Sequence, residues 1–124
     1  MNIKTLEGFK DHRGQLFWFG KEEVDFDFKY ITTGTILPKY IRGGHYHKRV
    51  TEKILCVTGR LLLTLNDNSE ILNPGDVATI PVNTIHVLEN IGNKTATFIE
   101  LKSERMDEND MDTFSPILKF KKEE

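Results

Sequence analysis

Apolar residues along this chain come in short runs cut by glycine, proline and asparagine. "QLFWF" stops at Gly20, and "FKYITTGTIL" stops at Pro38. "EKILCVTGRLLLTLND" reads as two strands meeting near Thr58 and Gly59. "EILNPGDVATIP" carries an Asn-Pro-Gly-Asp turn, and "ATFIELK" follows another turn at "IGNK". In "RLLLTLN" the period is two, with Leu61, Leu63 and Leu65 on one face and Leu62, Thr64 and Asn66 on the other. Strands at this spacing predict an all-β antiparallel sandwich or barrel. "SERMDENDMDTF" breaks the pattern, and its acidic residues and methionines predict a solvated surface loop or short helical turn without chemistry. The tail "SPILKFKKEE" offers one last strand.

The 124 residues suffice for one domain with a real core and leave no room for a second. N-terminal strands are expected over 1–37, a barrel core over 38–102 and a C-terminal segment over 103–124. Hydrophobic content of 38% and charged content of 29% are ordinary for a globular chain. A net charge of -2, with lysines and arginines scattered, excludes the basic field that nucleic acid or a membrane surface requires. The opening "MNIKTLEGFKDHRG" lacks the apolar core of a secretion signal, and no run reaches transmembrane length. Cys56 is the single cysteine and lies in an apolar run, so it reads as an inert buried thiol in a reducing compartment. The expected location is the cytoplasm.

Chemistry concentrates in "RGGHYHKRVTEKILCVTG". On a strand, His45 and His47 project to the same side, about 6.6 Å apart at the usual rise per residue. Two imidazoles so spaced can converge on one ion. Glu52 begins the next strand and offers an anionic oxygen, and His86 can return from a separate strand to close the site. Three imidazole nitrogens and one carboxylate suit Zn first, with Mn, Fe, Co or Ni also compatible, whereas Mg and Ca prefer oxygen shells. His12 lies outside this set and reads as a surface residue.

The spacing resembles the two motifs of the cupin superfamily. His45, His47, Glu52 and Gly59 fill the first; Gly75, Pro81, His86 and Asn90 fill the second. Lys39 and Asn83 stand where that pattern has glycines, and asparagine is the better substitute at positive φ. The resemblance implies a double-stranded β-helix, the cupin jelly-roll barrel, with its histidines facing inward. "DHRGQLFWF" and "IRGGHYH" further resemble dTDP-4-dehydrorhamnose 3,5-epimerase. "RGGHYH" with "TEK" is also similar to the C-terminal cupin of capsular-polysaccharide UDP-sugar enzymes and to dTDP-sugar 3,4-ketoisomerases.

These families act on nucleotide-linked 4-keto sugars in deoxysugar and polysaccharide biosynthesis. The resemblance therefore implies an isomerase that moves a proton beside a ketone. Arg13, Arg42 and Lys53 are the expected substrate-binding residues, the arginines for a diphosphate, and Phe17, Trp18 or Phe19 could stack on a base. A histidine whose lone pair binds metal cannot also accept a proton. The base is then His47 in a metal-free site, or Glu100, Lys53, Tyr30 or a metal-held hydroxide in a metallated one. A cupin dioxygenase using iron, or a non-catalytic sugar-binding regulator, stands as the alternative. The aromatic "LFWF" near a terminus predicts a homodimer formed through the N-terminal strand.

Overall fold

Eleven strands and no helix are found among the described residues of the computed structural model, which are 1–20, 27–106 and 111–116. They are β1 (Ile3–Thr5), β2 (Glu7–Asp11), β3 (Gly14–Trp18), β4 (Tyr30–Ile36), β5 (Ile41–His45) and β6 (Glu52–Thr58). Then follow β7 (Leu61–Leu65), β8 (Asn68–Leu72), β9 (Asp76–Ile80), β10 (His86–Asn90) and β11 (Ala96–Lys102). One sheet has the order β1-β9-β6-β11-β4, a second β5-β10-β7-β8, and β2 with β3 forms a separate hairpin. Every pairing is antiparallel. Chain neighbours mostly lie in different sheets, as in a jelly roll, and the expected all-β fold is the one observed.

Alternation decides what fills the interior. Leu61, Leu63 and Leu65 are buried, while Leu62 and Thr64 on the other face are only half-buried. Across the interior they meet Ile54 and Cys56 of β6, Ile80 of β9 and Phe98 of β11. The outer face of the larger sheet is closed as well: Leu55 and Val77 pack with Leu6, Phe17 and Phe19 from the N-terminal region. Five consecutive residues, Glu52 to Cys56, are therefore buried. Two glycines of the motifs have conformational reasons to be glycine. Gly59 (φ +88°) lies against Ala96, and Gly75 (φ +95°) against the Phe17 ring, leaving no room for a Cβ at either position.

Cys56 is fully buried, and burial pushes its thiol up to about 12. Among the described residues no helix is long and apolar enough to cross a membrane. The segment "SERMDENDMDTF" is not simply solvated: Met106 and Asp112 are buried, and Phe114 forms an antiparallel bridge with Tyr46. Residues 107–110 lie outside the described part. Ser115 and Pro116 are not in a strand, and the rest of the expected last strand, 117–124, is likewise outside it.

Candidate active site

The interior is apolar toward one end and polar toward the other, and the register explains why. Along β11, alternation puts Phe98, Glu100 and Lys102 on the inner face. Lys102 is directly opposite Glu52 on β6 and Tyr30 on β4, and Glu100 is opposite Ile54 and Thr32. From the second sheet, His86 opens β10 and is the cross-strand partner of His45, the last residue of β5. His47 lies two residues beyond the end of β5, in the loop before β6, rather than on the same strand as His45.

The three histidines meet all the same. Their ring centroids are 5.1 Å apart for His45 and His47, 4.6 Å for His45 and His86, and 5.2 Å for His47 and His86. One ring nitrogen from each falls within 4.8 Å of the others. Glu52 completes the group, with Oε1 3.2 Å from His47 Nε2 and Oε2 3.7 Å from His86 Nε2. Lys102 Nζ stands between two carboxylates, 3.7 Å from Glu52 and 3.6 Å from Glu100.

Hydrogen bonds fix which nitrogens point inward. His47 Nδ1 donates to the Asp112 carbonyl at 2.8 Å, and His86 Nδ1 lies 3.4 Å from the Thr84 carbonyl. In a neutral ring this leaves Nε2 as the lone-pair atom. A lone pair then faces a carboxylate oxygen at 3.2 Å inside the protein. Only a cation between or upon them, a proton or a metal ion, makes that arrangement favourable. His47 Nε2 and Glu52 Oε2 are in fact both buried without a hydrogen-bond partner. The residues present fit a divalent transition metal: a carbonyl-anchored Nδ1, an unsatisfied Nε2 and a converging carboxylate are its usual surroundings.

The electrostatics follow from burial and these neighbours. Burial, with the charges of His86 and His47, holds His45 down to about 4. Burial likewise lowers His86. Burial opposes charge on His47, but the neighbouring Glu52 carboxylate and the Asp112 carbonyl raise it overall. Burial opposes charge on Glu52 too, yet His47, His86 and Lys102 together keep its carboxyl below the ordinary range. Glu100 goes the other way: burial and the Glu52 charge push it up to about 7, against the pull of Lys102.

A cavity of about 350 Å³ opens onto this group. His45, His86, Glu52, Glu100, Lys102 and Arg42 supply its polar lining. Ile54, Leu63, Ile80, Leu88 and Phe98 supply its apolar wall. Its size is at the lower end of the roughly 300–1,000 Å³ usual for small-molecule sites.

Residues 33–102 match the family described as Cupin domain. The chain is a cupin. Among solved structures it is similar to a 3,4-ketoisomerase from Helicobacter canadensis, with 27% identity and a TM-score of 0.77 over 91% of this chain and 88% of that one. It is similar to the sugar 3,4-ketoisomerase QdtA from Thermoanaerobacterium thermosaccharolyticum in complex with TDP, with 25% identity, a TM-score of 0.71, and 91% and 85% of the two chains covered. It also resembles the capsular polysaccharide assembling protein CapF from Staphylococcus aureus, at 26% identity and a TM-score of 0.65, over 73% of this cupin but 27% of CapF. Among curated proteins no sequence matches it.

The remaining residues singled out in the sequence are distributed as follows. Arg42 is at the cavity, its Nε donating to the Thr35 carbonyl at 3.2 Å. Tyr30 stands beside Lys102, whose Nζ is 5.8 Å from the ring centre. Lys53 is on the opposite face of β6 from Glu52 and donates to Thr79 Oγ1 at 2.7 Å, away from the cavity. Arg13 sits at the tip of the β2–β3 hairpin, its guanidinium paired with Asp11 and 76% exposed, and does not line the cavity. His12 is exposed in the same turn. Phe17 is turned onto Gly75, and Trp18 is exposed; neither reaches the cavity. Two residues of the site escaped the sequence reading. Lys102 was legible, since it shares the inner face with Glu100 at period two. Asp112 was not, because it acts on His47 through a backbone carbonyl from 65 positions away.

Proposed function

We propose that this cupin is an isomerase that exchanges a proton next to the C4 ketone of a nucleotide-activated hexose, yielding a keto isomer or an epimer. One observation carries the reading: a cavity of sugar-ring size whose polar end sets a carboxyl near neutrality, Glu100, beside an ammonium and a cluster of imidazoles. Similarity to 3,4-ketoisomerases over nearly the whole chain supports it, one of them having been solved, as a mutant, in complex with TDP-4-keto-6-deoxyglucose.

Proton removal from carbon needs a base with affinity near the working pH, and Glu100 meets that requirement. As it takes the proton, electrons move toward the ketone and negative charge grows on its oxygen. The Lys102 ammonium is the charged donor on the same wall and would stabilise that oxygen. Protonation of the former carbonyl carbon, with the hydroxyl proton of the deprotonated carbon passing to the old ketone oxygen, gives the keto isomer. Protonation of the original carbon by a donor on its opposite face gives the epimer. The apolar wall of Leu63, Leu88 and Phe98 limits water around the carbanionic carbon. Arg42, on the cavity lining, would hold the diphosphate. His45, His47, His86 and Glu52 would hold one divalent metal, zinc first, which when bound supplies Lewis acidity toward the ketone.

The chain is further proposed to act as a cytoplasmic homodimer. The outward face of its N-terminal hairpin carries Phe9, Leu16 and Trp18 at 53%, 64% and 46% exposure, more apolar surface than a lone hairpin tolerates comfortably. Sedimentation showing a monomer at micromolar concentration would remove the dimer. The test of the activity is deuterium uptake from D2O into dTDP- and UDP-4-keto-6-deoxyhexoses, followed by NMR. Exchange above the buffer rate in wild type and its loss in Glu100→Gln are expected; no exchange across that panel refutes the reading.

A further inference from the structure

We infer that Asp112 is a positioning residue for His47, its carbonyl selecting the imidazole tautomer and its carboxylate holding the loop that carries the ring. The segment around it lies far along the chain, yet Asp112 and Phe114 both close on the His47 loop. The Asp112 carbonyl accepts from His47 Nδ1 at 2.8 Å. Its carboxylate accepts three successive backbone N–H groups, from Lys48 at 3.2 Å, Arg49 at 2.8 Å and Val50 at 3.0 Å. Arg49 Nη1 approaches the same carboxylate at 3.7 Å. Two residues on, Phe114 exchanges backbone bonds with Tyr46 at 3.0 Å each way, and Lys48 Nζ lies 4.2 Å over its ring.

Each feature of Asp112 answers a need of that loop. Three N–H groups in a row outside any strand require an acceptor, and one carboxylate with several lone pairs can take all of them. The residue is 5% exposed and adopts φ +46°, a conformation that aspartate tolerates better than most side chains. The backbone bond to His47 makes Nδ1 the protonated atom and turns the Nε2 lone pair onto Glu52. Free histidine has no such constraint. The inference deepens the ligand assignment of His47 proposed above and is independent of the sugar chemistry.

The test uses the full-length, metal-free protein with ¹⁵N-labelled histidine, at a pH high enough to leave His47 neutral. Long-range ¹H–¹⁵N correlation then reads the tautomer, and Co(II) titration reads ligand quality. Wild type is expected to carry the His47 proton on Nδ1 alone. Asp112→Ala keeps the backbone carbonyl but releases the three loop N–H groups. His47 should then slip from that carbonyl, populate the Nε2–H form and bind Co(II) about 10- to 100-fold more weakly. Asp112→Asn, which keeps the volume and one acceptor oxygen, should fall between them and serves if the alanine variant does not fold. Phe114→Ala loosens the segment while leaving the Asp112 bonds in place, and should leave the tautomer unchanged. An Asp112 variant that loses thermal stability but keeps both tautomer and Co(II) affinity would reduce the residue to a fold staple and overturn the inference. A shift of tautomer in Phe114→Ala equal to that in Asp112→Ala would overturn it too. Wild type with the expected tautomer but no Co(II) binding counts against the ligand set and leaves the role of Asp112 intact.

Discussion

Glu52 and Asn90 are buried to the same degree, each 1% exposed, and their surroundings could hardly differ more. The amide of Asn90 donates to the carbonyls of Ile36 and Lys94, both at 2.8 Å, and its oxygen accepts the Gly92 N–H at 2.8 Å. Its backbone carbonyl accepts from Lys39 and its N–H donates to Tyr40, so the residue knots two chain reversals together. Glu52 ends among imidazoles and an ammonium with Oε2 lacking any hydrogen-bond partner. Both occupy motif positions, so sequence pattern alone gives them equal standing. Hydrogen-bond saturation separates them: the satisfied polar group belongs to the fold, and the unsatisfied one to the chemistry.

Substitution should split the pair cleanly. The largest effect is expected from Glu52→Ala, with deuterium exchange into a 4-keto sugar falling about 10²- to 10⁴-fold. Metal-free stability should fall as well, since Lys102 and His47 lose a buried partner. Asn90→Ala should cost stability alone. It orphans two carbonyls and an N–H, and urea denaturation should show a loss of about 3 kcal/mol. Exchange per folded molecule should stay near wild type. Equal losses of activity in the two variants would erase the distinction.

Glu100 sharpens the comparison through pH. Its carboxyl sits near 7 in the folded chain against 4.5 for an unperturbed glutamate, so the native state holds the proton more tightly. Its contribution to stability is complete below pH 4.5 and is lost as pH rises through 7. Glu100→Gln removes that titration and should gain on the order of 1–3 kcal/mol over wild type across this window, read from urea midpoints. His45, lowered to about 4, has the opposite slope, but it is present in both proteins and cancels from the difference. As a base, Glu100 must be ionised, so kcat/KM should climb through pH 7 in wild type and stay flat and low in the variant.

The smallest effect belongs to the Asn90 corner. Lys39 stands there at φ +75°, where a side chain is strained. Lys39→Gly should raise stability by about 1 kcal/mol and leave exchange untouched.

Much of this was legible because strands advertise themselves by alternation. Leu61, Leu63 and Leu65 point inward as their spacing predicts, and "ATFIELK" is β11 from end to end. Asn83 takes a positive φ of 56°, as expected of asparagine at a glycine's place, and Lys39 shows that lysine is forced into the same region. What stayed hidden depends on contacts that no local pattern encodes. His47 reaches the site from a loop rather than along a strand, because the chain bends after His45. Asp112 was masked by its acidic neighbours and by acting partly through its backbone. β1 and β2 are not legible individually, since "IKT" is too short and "EGFKD" too polar to show a period.

The double covering of β6 has a consequence in time as well as in space. Its amides are paired to β9 and β11, with side chains buried on both faces from Glu52 to Cys56. Solvent reaches such amides only when most of the molecule opens, so they will be among the last to exchange their hydrogens. Glu52 thus stands at the end of a slow-opening strand, while His47 hangs from a loop tied down by a distant segment. Between turnovers the carboxylate keeps its place, and any loosening of the site begins on the histidine side.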